Sequence, residues 1–221
     1  MTVTKTKCLP TYLVIDSSSS MKPHETLLND TIRHLFLALG DSPRVAEYAH
    51  LSILTFNTDA HVVLEMSDIA TVYDAPVIGC TGNTAYGRMF TLLRQRIDID
   101  VPRLNQSGRA VHRPAVFLLT DGAPTDRDWA AAHRQLVDQG WRRRPHVVTF
   151  GFGAANEAVL GRVATKAAFI ATDVADNRDA ITSMMSGLLG SLVASARAQE
   201  LRIPEQVAGY RPVEVVEEFV D

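Results

Sequence analysis

Two stretches of this chain, Leu13-Val14-Ile15 and Ala115-Val116-Phe117-Leu118-Leu119-Thr120, run without polar alternation, and each ends in an acid, Asp16 and Asp121. A strand with one face in water alternates apolar and polar residues. A run that does not alternate reads as a strand covered on both faces, as in the parallel sheets of α/β domains. Open α/β sheets bind their ligands at the carboxyl ends of the strands. In a parallel sheet Asp16 and Asp121 share that edge, so two carboxylates far apart in sequence can approach each other.

The first acid opens the loop Asp16-Ser17-Ser18-Ser19-Ser20-Met21. Asp16, Ser18 and Ser20 fall at i, i+2 and i+4, a spacing that can aim three oxygens at one point in a tight loop. A carboxylate with two hydroxyls is a hard, oxygen-only donor set suited to a small divalent cation such as Mg²⁺, with Mn²⁺ and Ca²⁺ as alternatives. A blander reading stands beside it: a serine-rich turn in which Ser or Asp caps the next helix. Thr84, where a loop enters a helix, is placed to face the same edge.

The rest of the pattern alternates strand and helix, which predicts a doubly wound α/β domain with a mostly parallel sheet and helices on both faces. Residues 9–15 form the first strand; Pro23 suits a first helical turn, and Leu28, Ile32, Leu35 and Leu39 mark one helix face before Gly40. Ala49–Phe56 and His61–Met66 lie either side of the turn Asn57-Thr58-Asp59 and predict one antiparallel edge strand. Residues 67–83 read as loop, a helix from Thr84 carries Met89, Leu92, Leu93 and Ile97, and the polar residues 98–113 read as a surface connection. A helix over about Asp128–Gln139, a strand Val147–Phe152, a short helix Glu157–Thr165, a strand Ala168–Thr172 and a long helix from Asn177 to about Ala196 follow. The domain organisation expected is an N-terminal tail over 1–8, one domain over 9–197, and a C-terminal extended tail over 198–221, either disordered or lying along the domain.

A chain of 221 residues suits one such domain. The net charge of −3 makes no case for nucleic acid or an anionic membrane. The one basic run, Arg142-Arg143-Arg144, follows a predicted helix, where cations suit the dipole better than they make a binding patch. Cys8 and Cys80 form neither a disulfide framework nor a zinc pattern, although they could pair in an oxidising compartment. No stretch approaches the roughly 18 apolar residues of a membrane span, and the expected location is the cytoplasm. The seven histidines show no metal-ligand spacing; His112, His133 and His146 read as surface or packing residues. Asp126 reads first as a helix cap, with metal contact as the alternative.

Three motifs occur in order: Asp16-x-Ser18-x-Ser20, Thr84 within Gly82-Asn83-Thr84-Ala85-Tyr86-Gly87, and Asp121-Gly122 after an apolar strand. Together they resemble the metal-ion-dependent adhesion site of the von Willebrand factor A domain family, over about residues 9–197. The resemblance implies metal ligation by Ser18 and Ser20, ligation by Thr84 directly or through water, and Asp16 and Asp121 acting through water or as hydrogen-bonded acids around the ligands. It leaves a position open for an acidic group from a protein partner. Two departures matter. Thr81 lies in the same loop as Thr84, and the Gly-x-Thr-Ala-x-Gly pattern of bacterial members favours Thr84. The family usually has Gly where this chain has Ser19, which strains the loop if that position needs positive φ.

Tyr12-Leu13-Val14-Ile15-Asp16, Leu118-Leu119-Thr120-Asp121-Gly122-Ala123-Pro124-Thr125-Asp126 and Val148-Thr149-Phe150-Gly151-Phe152-Gly153 further resemble the bacterial TerY-like proteins. That likeness implies a role in tellurite and chemical stress, with a protein kinase and a protein phosphatase as partners. The expectation is therefore a non-enzymatic, metal-dependent protein-interaction module. A Mg²⁺-dependent phosphohydrolase using the same edge is the competing reading. Against it, Ser18 stands where aspartate-based phosphatases need a second acid, and no Gly-x-Ser-x-Gly or phosphate-loop motif occurs. A domain that binds partners without metal is a third reading, disfavoured by the intact set of five residues.

Overall fold

Strand β1 (Lys7–Asp16) divides its side chains between two cores. Leu9, Leu13 and Ile15 enter one, and Cys8, Tyr12 and Val14 enter the other. Every β1 residue after Lys7 is buried, which is why the run shows no polar alternation. This computed structural model describes residues 5–172 and 176–216; the first four residues of the expected N-terminal tail and the last five of the expected C-terminal tail lie outside the described residues. The other strands are β2 (Ala49–Phe56), β3 (Ala60–Asp68), β4 (Ala110–Val111), β5 (Ala115–Thr120), β6 (His146–Gly151), β7 (Ala167–Ala171) and β8 (Tyr210–Val213). Their order in the sheet is β3-β2-β1-β5-β6-β7-β8, with β4 beside the start of β1. β2, β1, β5, β6 and β7 run parallel.

Helices α1 (Glu25–Gly40), α2 (Pro43–Tyr48) and α6 (Asn177–Ala198) supply residues to the first core, and α3 (Tyr86–Gln106), α4 (Trp129–Val137) and α5 (Glu157–Val163) to the second. The fold is thus the expected doubly wound α/β sheet. The apolar stripe of α1, Leu28, Ile32, Leu35 and Leu39, is buried, as are Ile181, Met184, Met185, Leu188 and Leu192 of α6. No described helix is long and apolar enough to cross a membrane.

The structure differs from the sequence reading at the sheet edges, in α3 and at α2. The sheet has two antiparallel edges: β3 pairs antiparallel with β2, and β8 pairs antiparallel with β7. The described part of the expected C-terminal tail therefore lies along the domain and finishes the sheet, giving Phe169 and Ile170 backbone partners in Pro212 and Arg211. Helix α3 does not end near Ile97 but runs to Gln106. Its apolar stripe continues through Val101 and Leu104, both buried, and the polar character of the segment hid that periodicity. Asp100, fully buried on the same turn, is the reason one polar residue can sit there: it accepts from Tyr12 Oη at 3.0 Å and Arg96 Nη2 at 3.0 Å. The short helix α2 begins with Pro at its first turn, a position where the missing N–H costs nothing.

Candidate metal centre

From β1 the chain winds outward to β2 and β3 on one side, and β5 to β8 lie on the other. The carboxyl ends of β1 and β5 therefore flank the switch point of the sheet, where a crevice opens. Asp16 is the last residue of β1, and Asp121 directly follows β5. Both acids are buried, Asp16 at 0% and Asp121 at 7% exposure.

Both Asp16 oxygens, Asp121 Oδ1 and the Ser18 and Ser20 hydroxyls have defined hydrogen-bond partners. Asp16 Oδ1 accepts from the Ser18 backbone N–H at 2.9 Å, and its Oδ2 accepts from Thr120 Oγ1 at 2.7 Å. Ser18 Oγ and Ser20 Oγ lie 3.0 Å apart, and Ser20 Oγ donates to Asp121 Oδ1 at 2.8 Å. Thr84 is 6% exposed. A Cβ placed on Gly122 would lie 3.4 Å from Thr84 Oγ1 and 3.9 Å from Asp16 Oδ2. Asp16, Ser18, Ser20, Thr84 and Asp121 thus converge on one crevice. Thr81, by contrast, is exposed, and its backbone N–H donates to Ser17 O at 2.8 Å.

Burial pushes the Asp16 carboxyl above its ordinary range. The hydrogen bonds from Ser18 and Thr120 oppose that rise, and the charge of Asp121 adds to it. Asp121 is raised as well, by burial first, with Ser20 and the nearby His24 acting against it. Two buried carboxylates held close together, with no lysine or arginine partner among the described residues, create a local demand for positive charge. Among the described residues no group of three or more His, Cys, Asp or Glu is placed to hold a metal. A cation here would depend on the hydroxyls as well as the acids. The donor set fits a hard divalent ion.

Backbone hydrogen bonds tie the contributing loops together. Ser17 N donates to Phe56 O at 2.8 Å, Ser19 N to Gly82 O at 3.0 Å, Ala85 N to Asn57 O at 2.8 Å and Thr125 N to Thr84 O at 2.9 Å. Gly82 takes φ +76°, and a side chain there would meet Thr58 Oγ1 at 2.5 Å. The residue before α3, Ala85, has no side chain able to cap it. Asp126 does so from the β5 loop, accepting from Tyr86 N at 2.9 Å and Gly87 N at 2.6 Å. Asp126 is therefore a cap, as read, but of α3 and not of the helix that follows it. Gly87 allows this approach: a Cβ there would stand 2.5 Å from Asp126 Oδ2 and 3.3 Å from the Trp129 Cα.

Sequence reasoning also missed Thr120, whose hydroxyl positions Asp16, and Tyr86, whose Oη reaches Thr120 Oγ1 and Gly122 O, each at 3.3 Å. Both sit within motifs that were recognised, yet nothing local signals contacts 104 and 34 residues away. On the far side Asn29 holds the loop before Thr84 by bonding both Ile78 N and Ile78 O, at 2.7 and 2.9 Å.

The strain expected at Ser19 is absent. Among the described residues Gln199 is the non-glycine residue with positive φ. Ser19 instead opens a 3₁₀ turn, Ser19–His24, that contains Pro23. A serine is therefore at home where glycine would only add freedom to the unfolded chain. Ser19→Gly is expected to lower stability by about 0.5–1 kcal/mol in urea denaturation; a gain in stability would contradict the turn geometry.

No family model matches this sequence, and no curated protein matches it either. Solved structures do match. A von Willebrand factor type A protein from Catenulispora acidiphila matches at 17% identity over 84% of this chain and 43% of that one, with a TM-score of 0.56. Proximal thread matrix protein 1 from the mussel byssus matches at 15% identity over 86% and 49%, with a TM-score of 0.58. The pilus adhesin SpaC from Lactobacillus rhamnosus GG, in an open conformation, matches at 13% identity over 86% and 30%, with a TM-score of 0.64. The chain spans less than half the length of each. At these identities the likeness is one of fold, and that fold is the von Willebrand factor A fold.

Proposed function

We propose that this chain is a metal-dependent protein-interaction module of the von Willebrand factor A type. The observation that carries the reading is the pair of buried carboxylates, Asp16 and Asp121, set beside the hydroxyls of Ser18, Ser20 and Thr84 at the switch point of the sheet. Mg²⁺ is the proposed ion, with Mn²⁺ and Ca²⁺ as alternatives. Ser18, Ser20 and Thr84 would hold it, with Asp16 and Asp121 supplying the opposite charge directly or through water. When bound, the ion offsets the two carboxylates and offers Lewis acidity to an acidic group from a partner protein.

The chain's own residues prepare that site. Thr120 and the Ser18 N–H fix the Asp16 carboxylate. Asp121 orients the Ser20 hydroxyl, and Asp126 holds the Thr84 loop against the β5 loop. We read the module as non-enzymatic, because both Asp16 oxygens are already engaged and Ser18 occupies the place of a second acid. A screen of phosphate esters in Mg²⁺ tests this; turnover that Asp16→Asn abolishes would establish the phosphohydrolase reading instead. The motifs of the first and second acidic loops support a role like that of the bacterial TerY-like proteins, in the cytoplasm, in tellurite or chemical stress, with a protein kinase and a protein phosphatase as partners.

The ligand set is poor in acids, so metal alone should bind weakly and a partner carboxylate should tighten it. Linkage then requires metal to tighten the partner by the same factor. Partners isolated by affinity with and without chelator can be identified by mass spectrometry and then titrated. Their affinity in Mg²⁺ is expected to exceed that in EDTA by roughly 5–150-fold, and Ser18→Ala should remove the difference. Equal affinity in both buffers would place the interaction surface elsewhere.

A further inference from the structure

At the amino-terminal edge of the sheet, opposite the candidate metal centre, lies a second concave site of about 520 Å³. Arg113, His146 and Lys166 stand at or just before the starts of β5, β6 and β7, and His112 stands beside them. The segment after α6 closes the other side: Leu201 and Ile203 form a half-buried apolar wall over Leu9, and Arg202 and Glu200 form the rim. Glu200 is the acid among the lining residues, and it is ion-paired with Arg202. Arg113 and Lys166 have no acid partner among the described residues.

The cations converge on one space. His146 is pushed down to about 4, first by burial and then by Lys166, Arg113 and Arg144 in turn. Arg113 is itself lowered, by burial and by Arg144, and no acid opposes either effect. His112 Nε2 is buried with no hydrogen-bond partner among the described residues. Tyr48, whose ring centroid lies 5.7 Å from that of His112, has an equally orphaned Oη. A buried polar atom left without a partner destabilises the fold unless something else satisfies it. Helix dipoles explain why cations gather where helices end, but they explain neither the concavity nor the orphaned imidazole.

We propose that this cavity binds a small phosphorylated molecule, its phosphate between Arg113 and Lys166 beside the His112 ring, and its apolar part against Leu201 and Ile203. A phosphate monoester supplies the dianion that an arginine, a lysine and the neighbouring Arg144 leave uncompensated. A cavity of this size with one apolar wall suits a small ligand, whereas a macromolecular surface spreads its cations along a stripe. The C-terminal segment is then part of a binding site as well as of the sheet.

The test is a titration of the metal-free full chain at constant ionic strength, following the imidazole nitrogens of His112 and His146 by NMR. The probes are inorganic phosphate, phenyl phosphate and, as reference, chloride. Phenyl phosphate is expected to give saturable shifts at both rings and to bind roughly tenfold more tightly than inorganic phosphate, the effect of covering part of one ring. Arg113→Gln with Lys166→Gln, both exposed, should weaken binding at least roughly tenfold, while Asp121→Asn at the opposite edge should leave it unchanged. Shifts that track chloride, an affinity untouched by the double substitution, or no preference for phenyl phosphate would each overturn the proposal.

Discussion

Asp121→Asn is expected to weaken Mg²⁺ or Mn²⁺ binding by about 10–100-fold and to leave the metal-free fold at least as stable as the wild type at neutral pH. Asparagine keeps an oxygen for the Ser20 hydroxyl, now 2.8 Å from Asp121 Oδ1, and removes a buried negative charge that pushes up the Asp16 carboxyl. The sign of the stability change follows from linkage. Asp16 and Asp121 have folded-state pKa values above the ordinary 3.8. Between that value and the raised one, the folded state binds more protons than the unfolded state. Stability in EDTA therefore falls as pH rises through this window, and mild acidification should stabilise the metal-free protein. Asp100 is raised by burial too and contributes a slope of the same sign. Asp121→Asn should flatten the slope without erasing it, and saturating metal should flatten it in the wild type. Calorimetric titration and thermal melts from pH 4 upward measure both effects. Unchanged metal affinity would exclude Asp121 from the site, and a steeper slope would contradict its buried, like-charged setting.

Asp126→Ala is expected to cost about 2–4 kcal/mol, because it removes the charged acceptor of two helix-capping bonds at once. The loss reaches the metal centre indirectly. Without the bracket from Tyr86 N and Gly87 N to Asp126, the Thr84 loop loses two of the bonds that hold it to the β5 loop and keeps the one from Thr125 N to Thr84 O. Metal affinity should fall together with stability. Gly87→Ala should do comparable damage, because its Cβ would meet the same carboxylate at 2.5 Å. The two substitutions should not add, since each breaks the same contact, and the double variant should unfold close to the worse single one. Additive losses in urea denaturation would show that Gly87 and Asp126 act separately. A loss of metal affinity with no loss of stability would make Asp126 a ligand and not a brace.

The strands and their acids were legible from the sequence because burial on both faces forbids polar alternation, and that leaves a mark within a few residues. Leu13-Val14-Ile15 and the run Ala115–Thr120 carry that mark, and the structure buries them as expected. The stripes of α1 and α6 were legible for a related reason, since a helix that covers one core repeats its apolar residues locally. The final third of α3 was not, because Arg103 and Asn105 surround the buried Val101 and Leu104 and lower the average apolarity of the segment. Nor was β8: four residues with Arg211 and Pro212 among them do not resemble a strand until β7 offers an unpaired edge.

The candidate site divides along the same line. Its donors, Asp16, Ser18, Ser20, Thr84 and Asp121, stand in short motifs and were named from them. Their support was not. Thr120 reaches Asp16 across 104 positions, Asp126 caps a helix 40 positions earlier, and the 3₁₀ turn that relieves Ser19 depends on how the loop is packed. The cationic cavity needed residues from β5, β6, the turn before β7 and the segment after α6 to meet. Which residues can donate to a ligand is a property of the side chains, and the sequence states it. Whether they meet, and what holds them there, depends on strand order and on backbone hydrogen bonds between distant loops, which only the folded chain creates.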